Sequence, residues 1–464
     1  MKNIHNNTII ALATPKGEGA IAVIRLSGNE AINIVDKIFE ARKKLTEQKS
    51  HTLHFGKIVF ENKIIDEVVV SLYKSPHSYT GENVVEISCH GSQFIIQQII
   101  EICVKLGAQY AKPGEFTQRA FLCGKLDLSQ AESVAEIIAS ENSMQLEMAF
   151  SHMRGGYSTM LENMRNELIE FAALIELELD FSEEDVEFAD REKFIKLLET
   201  LHKNISQLIN SFALGNVLKN GIEVVIVGEP NVGKSTLLNQ LLQEQKAIVS
   251  DIAGTTRDFI EDTMTIDGFL FRFIDTAGIR QTEDTLEAMG IERSFEKMKS
   301  AKIILYLTDI NIDYKTIVDS FQKLPIQTNQ QVIILLNKSD KMVSCNAYDI
   351  EEAVSTLTHQ KTIEISAHTG RNIDNLKQTL SNIVHQQKMQ HNGLFVSNTR
   401  HLHALQETLI YIEKIQEGIQ NNLSSELLAI DIKMALHSLG KITGVVEIDR
   451  DILGTIFGKF CIGK

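Results

Sequence analysis

Five short segments between Gly228 and Ala367, most of them set directly behind an apolar run, constrain this chain more than any other feature. The first is GEPNVGKS, Gly228 to Ser235, which follows the apolar run Ile222 to Val227. That order reads as a buried strand, a Gly-rich turn and a helix beginning near Lys234. Glycines let backbone N–H groups close around phosphate oxygens, and a helix N-terminus adds its positive end. Lys234 supplies a point charge for the β- and γ-phosphates, and the Ser235 hydroxyl a ligand for Mg²⁺. A second run, Phe269 to Ile274, leads into Asp275-Thr276-Ala277-Gly278. There Asp275 can hold Mg²⁺ through water, and the Gly278 N–H can approach the γ-phosphate. Ile303 to Thr308 predicts a third strand, and Val332 to Leu336 a fourth that delivers Asn337-Lys338-Ser339-Asp340. The Asp340 carboxylate can accept from guanine N1–H and its 2-amino group. Adenine offers no donor there and would leave that carboxylate unsatisfied. A last run, Thr362 to Ile365, ends at Ser366-Ala367, whose backbone can donate to guanine O6. All these loops fall at the carboxyl ends of predicted parallel strands, where open α/β sheets bind their ligands. The set predicts GTP with Mg²⁺.

Two departures from a Ras-like site narrow the chemistry. In Ras-like switches a Gln follows the glycine of DxxG and orients the attacking water. Here that position is Ile279, which can neither donate nor accept, so the group must come from elsewhere. Glu283, Asp284, Glu287 and Glu292 are the acidic candidates. The second departure is Asn231 inside the Gly-rich turn, with Ala253-Gly-Thr-Thr-Arg-Asp258 downstream. An amide oxygen and a loop of carbonyls can cage a monovalent cation beside the phosphates; equally, Asn231 can serve only to turn the loop. Thr255 and Thr256 bring hydroxyls, one of which is expected on Mg²⁺.

A length of 464 residues suggests several domains. Apolar content of 43% and charged content of 23% are those of a globular protein. No run approaches the roughly 18 apolar residues of a membrane span. The first residues lack an apolar core, so a secretory leader is not expected and a cytoplasmic location is. Five cysteines without a CxxC pair point to reduced thiols rather than disulfides or zinc. A net charge of −15 requires any contact with RNA to be local or shared with another protein.

Changes of pattern mark the organisation. Residues 1–120 alternate β-rich runs (Ala20 to Leu26, Glu67 to Leu72, Val84 to Ser88) with turns and a helix near Gln93 to Leu106, an α+β domain. Residues 121–219 read as helical, 220–383 as the P-loop domain, and 384–464 as helical again, with Leu402, Leu405, Leu409, Ile412 and Ile419 on one face. A helical block interrupted by a complete α/β domain predicts insertion. Outside the P-loop domain, Arg25 lies in a strand of apolar neighbours and needs a partner or an anionic ligand. Glu86 lies in a short strand, and Lys125 at a turn before the helices. The end of the chain, Phe460 to Lys464, is apolar almost to its last residue and is expected to dock; Cys461 there is either a reactive thiol or a buried free cysteine.

Taken together, ATPKGEGAIAVIRLSG ending at Gly28, SYTGENVVEISCHG, KPGEFTQRAFLCGKLDL, DFSEEDVE ending at Glu187, GTTRD and the terminal CIGK resemble the MnmE (TrmE) family of tRNA-modification GTPases over nearly the whole chain. The nucleotide motifs alone also fit ribosome-assembly GTPases; the flanking segments do not. The resemblance implies an α+β N-terminal folate-binding domain, a helical bundle and an inserted Ras-like GTPase domain. It implies a homodimer through the N-terminal domains, each binding a folate of the 5-formyl- or 5,10-methylene-tetrahydrofolate type through Arg25, Glu86, Lys125 and Lys464. It implies hydrolysis stimulated by K⁺ when two GTPase domains meet, with Asn231, Ser250, Ile252 and Thr255 around the cation and Ser235 and Thr256 on Mg²⁺. Glu287 matches the family's water-orienting glutamate, which with Lys234 makes the catalytic pair. The expected nucleotide contacts are Asn231, Val232, Gly233, Lys234, Ser235, Thr236, Ser250, Thr255, Thr256, Asp275, Thr276, Ala277, Gly278, Asn337, Lys338, Asp340, Ser366 and Ala367. The family works with an FAD-containing MnmG partner, as a heterotetramer, to place an aminomethyl-type group on C5 of the wobble uridine of certain tRNAs. Cys123 stands where the family more often has Asn, next door but one to Lys125.

Overall fold

The computed structural model describes residues 7–180, 191–243, 261–275, 298–299, 301–328, 330–341, 347–389, 395–445, 460 and 463. In chain order the strands and helices are β1 (Ile9–Leu12), β2 (Gly19–Ser27), α1 (Ala31–Asp36), β3 (Phe39–Glu40), β4 (Thr52–Phe60), β5 (Lys63–Tyr73), β6 (Val84–Gly91), α2 (Gln93–Lys105), β7 (Gln109–Tyr110), α3 (Glu115–Leu122), α4 (Leu128–Ala139), α5 (Ser143–Met153), α6 (Gly156–Asp180) and α7 (Arg191–Asn220). They continue as β8 (Ile222–Val227), α8 (Lys234–Gln243), β9 (Glu261–Ile266), β10 (Phe269–Asp275), β11 (Ile303–Asp309), α9 (Tyr314–Gln322), β12 (Gln331–Asn337), α10 (Ala347–Thr358), β13 (Lys361–Glu364), α11 (Ile373–Met389), α12 (Thr399–Gln420) and α13 (Ser425–Thr443). No described helix is long and apolar enough to cross a membrane. The chain divides into two compact units, Met1–Ala139 with Ala149–Lys203 and His403–Lys464, and Ser140–Met148 with Asn204–Leu402.

In the second unit a six-stranded sheet has the order β13-β12-β11-β8-β10-β9. β10, β8, β11, β12 and β13 run parallel, and β9 closes the edge antiparallel to β10. The parallel strands are apolar runs because both faces are covered. Val224, Ile226, Leu305, Leu307, Ile333 and Leu335 point to one core, shared with Leu237 and Leu241 of α8 and Leu376 and Leu380 of α11. Val225, Val227, Ile304, Tyr306, Ile334 and Leu336 point to the other, with Ile317 and Phe321 of α9 and Val354 of α10. Each such side chain contributes about 1.5–3 kcal/mol, well above the at most about 1 kcal/mol of an exposed ion pair. Packing on two sides therefore fixes the register of the strands whose ends carry the site.

The first unit holds a seven-stranded sheet, β3-β4-β5-β6-β2-β1-β7, with one face on a core. Ile24, Leu26, Val68, Val70, Leu72, Val85 and Ile87 pack there with Val35 of α1 and Ile99 and Cys103 of α2. The opposite face carries cross-strand rows, Leu53-Ser71-Glu86-Arg25 and Phe55-Val69-Ser88-Val23. Cys89 and Cys103 are buried free thiols, pushed up by burial to about 11 and about 12. In the same unit α6 and α13 lie side by side. The buried face of α12 differs from the stripe expected from sequence: Ala404, Leu405, Thr408, Ile412 and Ile415 are buried, whereas Leu402, Leu409 and Ile419 lie at its margins. The Thr408 hydroxyl donates to the Ala404 carbonyl at 2.7 Å, which lets a polar residue take the centre of the face.

Gly56 in β4 sits where a Cβ would meet the Glu40 carbonyl at 2.5 Å and the Phe39 ring at 2.7 Å. Gly56→Ala is expected to destabilise the N-terminal unit by about 1–3 kcal/mol. The check is the midpoint of its thermal or urea transition, which should fall while that of the nucleotide-binding unit stays.

Candidate functional site

The turn between β8 and α8 is shaped by two close approaches. A Cβ on Gly228 would strike the Leu307 carbonyl, and one on Gly233 (φ 105°) would lie 2.5 Å from Asn337 Nδ2. Val232 is buried and anchors the turn in the core, while Asn231 between them has φ 66°, in the left-handed region. Lys234 opens α8, and its Nζ donates to the carbonyls of Gly228 (2.9 Å) and Glu229 (2.7 Å). The ammonium is thus drawn over the turn that precedes it. Ser235 and Thr236 follow in the first helical turn, exposed. Asp275 ends β10 beside β8, its backbone opposite Ile226.

The neighbouring loops are tied to this turn by Asn337. Its side chain is buried; Nδ2 donates to the Val232 carbonyl at 2.7 Å, and Oδ1 accepts the Ala367 N–H at 2.9 Å. One carboxamide therefore joins the phosphate-type turn, the end of β12 and the Ser366-Ala367 loop. Lys338 follows with φ 65° and an ion pair to Asp309 at 2.9 Å. The Asp309 carboxyl is pushed up by burial, but hydrogen bonds from Asn311 and Lys338 outweigh this and leave it below the ordinary aspartate range. Asp340 is held by the buried Ser366 hydroxyl, which donates to Oδ1 at 2.6 Å. That bond is the main reason its carboxyl lies below the ordinary value. The sequence reading assigned Ser366 a backbone role only, and passed over Asp309.

In the first unit Arg25 and Glu86 face one another across β2 and β6 and form an ion pair, Nε to Oε1 2.8 Å. The guanidinium lies 5.5 Å from the Tyr79 ring and 5.7 Å from that of Phe116. It also donates to the Gly463 carbonyl at 3.5 Å. A Cβ on Gly463 would strike the Leu12 carbonyl, and Phe460 is buried with Leu128 and Ala131. Of the two described residues of the tail, Gly463 therefore lies against the N-terminal strands and Phe460 against α4. Lys125 Nζ donates to the Pro76 carbonyl at 3.1 Å, and Cys123 beside it is exposed. Burial, then the Glu82 carboxylate, raise that thiol above its usual value, so it is not an activated nucleophile. Arg119 escaped the sequence reading. It is 1% exposed and bound by Glu82 (3.0 Å) and Glu115 (2.9 Å), while Ser27 joins Thr80 and Glu82 (2.7 Å each). This network fixes the loop that presents Tyr79, whose hydroxyl bonds that of Thr117 at 2.8 Å.

Ser250, Ile252, Thr255, Thr256, Thr276, Ala277, Gly278, Glu287, Cys461 and Lys464 lie outside the described residues, as do Ile279, Glu283, Asp284 and Glu292.

Comparison with known proteins gives two family matches, "GTP-binding protein TrmE N-terminus" over residues 8–125 and "MnmE helical domain" over residues 128–461. Similar curated proteins are each named tRNA modification GTPase MnmE. That of Flavobacterium johnsoniae is 50% identical, covering 99% of this chain and 100% of the relative. That of Flavobacterium psychrophilum is likewise 50% identical, and that of Bacteroides thetaiotaomicron 47%, both over 99% of this chain and 100% of the relative.

The Ser366–Asp340 bond has a pH consequence. Because it favours the carboxylate, Ser366→Ala should raise the Asp340 pKa toward the ordinary value. Binding that needs the carboxylate is present above that pKa and lost as pH falls through it. Guanosine diphosphate affinity measured down the acid limb should therefore fall off at a higher pH in Ser366→Ala than in the unaltered chain.

Proposed function

This chain belongs to the MnmE family of tRNA-modification GTPases, and from that membership we propose how its own residues carry the work. GTP is held with its phosphates in the Gly228–Ser235 turn and its base between Asn337-Lys338-Ser339-Asp340 and Ser366-Ala367. The single observation that carries this is the Asn337 bridge, which joins phosphate loop and base loop through one buried side chain. Lys234 exchanges its carbonyl partners for phosphate oxygens, and Asp340 reads the guanine edge.

Ser235 and Thr256 would hold Mg²⁺, which would supply charge to offset that on the transferring phosphoryl group. The short exposed hydroxyl at Ser235, in the first turn of α8, fits a hard cation that prefers oxygen ligands. Asn231, Ser250, Ile252 and Thr255 would hold a K⁺ ion, which would supply the positive charge that an arginine finger gives elsewhere. The left-handed φ of Asn231 in an exposed turn is what turning the loop alone also requires, and family membership is what favours the cation role. Glu287 orients the attacking water, a task closed to Ile279.

The chain acts as a homodimer, with residues 1–120 as the folate-binding and dimerising domain, 121–219 and 384–464 as one helical domain, and 220–383 as the inserted GTPase domain. Ile21, Leu53 and Phe55, about two-thirds exposed, favour a second copy on the uncovered sheet face. Arg25 and Glu86 lie on that same face, with Lys125 and Lys464 completing a site for a tetrahydrofolate that carries the one-carbon unit. The Tyr79 and Phe116 rings around Arg25 suit a flat, polar heteroaromatic ligand. With an FAD-containing MnmG-type partner in a heterotetramer, the assembly modifies C5 of the wobble uridine of tRNA. Meeting of two GTPase domains on GTP gates that step.

The test is GTP turnover by the purified chain in KCl against NaCl at equal ionic strength. The expected result is strong stimulation by K⁺, lost in Asn231→Ala, with Glu287→Ala retaining GTP affinity while losing turnover by about 100-fold or more. Equal rates in the two salts would contradict the cation site, and normal turnover in Glu287→Ala would remove that residue from the mechanism.

A further inference from the structure

We propose that Asp309 is a positioning residue for guanine recognition, acting through Lys338 rather than touching the base. The proposal rests on the nucleotide reading of the same site. Asp309 ends β11, and its register partner across the sheet is Asn337, the last residue of β12. The two strand ends thus bring an aspartate beside the loop that reads the base.

Both oxygens of the Asp309 carboxylate are engaged. Oδ1 accepts the backbone N–H of Asn311 and its side-chain amide, both at 3.0 Å. Oδ2 takes the Lys338 ammonium at 2.9 Å. Two hydrogen bonds from Asn311 hold the carboxylate in place, so it serves as an anchor for a long cation. The pair is partly shielded, at 33% and 20% side-chain exposure, which spares it the full screening of a surface pair.

Lys338 needs such an anchor. Its φ of 65° is a conformation that an unbranched L-residue adopts only where its surroundings hold it. Its carbonyl also accepts the Lys341 N–H at 2.9 Å, closing the turn that presents Asp340. The three residues that set this turn are each fixed to a different neighbour: Asn337 to Val232 and Ala367, Lys338 to Asp309, and Asp340 to Ser366. Of these ties, only the one through Asp309 reaches back to β11. Removing it leaves the phosphate turn and its lysine unchanged while loosening the base-reading turn. The loss should appear in nucleotide affinity and KM, not in the rate at saturation.

The experiment uses the full chain and measures guanosine diphosphate affinity by calorimetry, together with kcat and KM for GTP. Asp309→Ala should weaken affinity and raise KM by about three- to five-fold, with kcat within about two-fold. Asp309→Asn, which keeps the shape and an acceptor for Asn311 but not the charge, should behave like Asp309→Ala. Asp309→Glu, which keeps the charge, should recover part of the loss. In a Lys338→Met background Asp309→Ala should add nothing further. Unchanged affinity in Asp309→Ala, or an equal loss with and without Lys338, would overturn the proposal. A fall in kcat alone, with KM unmoved, would also overturn it, because that is what a merely structural role produces. Failure of the unaltered chain to bind guanosine diphosphate would overturn the nucleotide reading itself.

Discussion

The side chain of Asn337 is a buried carboxamide with one end on the Val232 carbonyl and the other on the Ala367 amide. Inside a core, each of those backbone groups would cost about 1–3 kcal/mol if left without a partner. The amide satisfies both at once and couples the phosphate turn to the base loop directly. Gly233 must be a glycine for the same reason, since any Cβ there would collide with the Asn337 amide. Base recognition and phosphate recognition are thereby built on one rigid support. That support exists because β8, β11 and β12 are locked in register from both faces.

The two sheets illustrate different uses of burial. In the nucleotide-binding unit both faces are covered, and function is left to the loops at the strand ends. In the N-terminal unit one face stays open, and Arg25 and Glu86 stand on it in a cross-strand row with Leu53. The Tyr79 ring beside that pair is carried by a loop that a second, buried ionic network around Arg119 holds. Removing one carboxylate from a buried arginine leaves an uncompensated charge, so the Tyr79 loop cannot shift independently of that network.

Much of this was legible in the sequence, and what was hidden has a common cause. The parallel strands were readable because double-sided burial writes them as nearly continuous apolar runs, as in Ile222–Val227 and Ile303–Asp309. The antiparallel edge strand Glu261–Ile266 is mostly polar, and Ile9–Leu12 and Thr52–Phe60 lack a clear alternation, so these strands were not marked. Partners distant in sequence were equally opaque. Ser366 and Asp340 are 26 positions apart, Arg119 and Glu82 are 37, and Asn337 and Val232 are 105. No local pattern announces such a pair; only the strand order brings it together. The division between the two units was silent for another reason. Besides the step at Ala139–Ser140, it falls within α5, α7 and α12, where a continuous helix leaves no Gly- or Pro-rich linker to read.

We propose that nucleotide turnover at the Lys234 site drives modification of the tRNA wobble uridine. The most direct measurement is mass spectrometry of tRNA nucleosides from cells that lack this chain, then carry it intact or as Lys234→Ala. The account predicts that the C5-substituted uridine disappears without the chain, returns with the intact form, and stays absent with Lys234→Ala. Full modification in cells that carry only Lys234→Ala would contradict it.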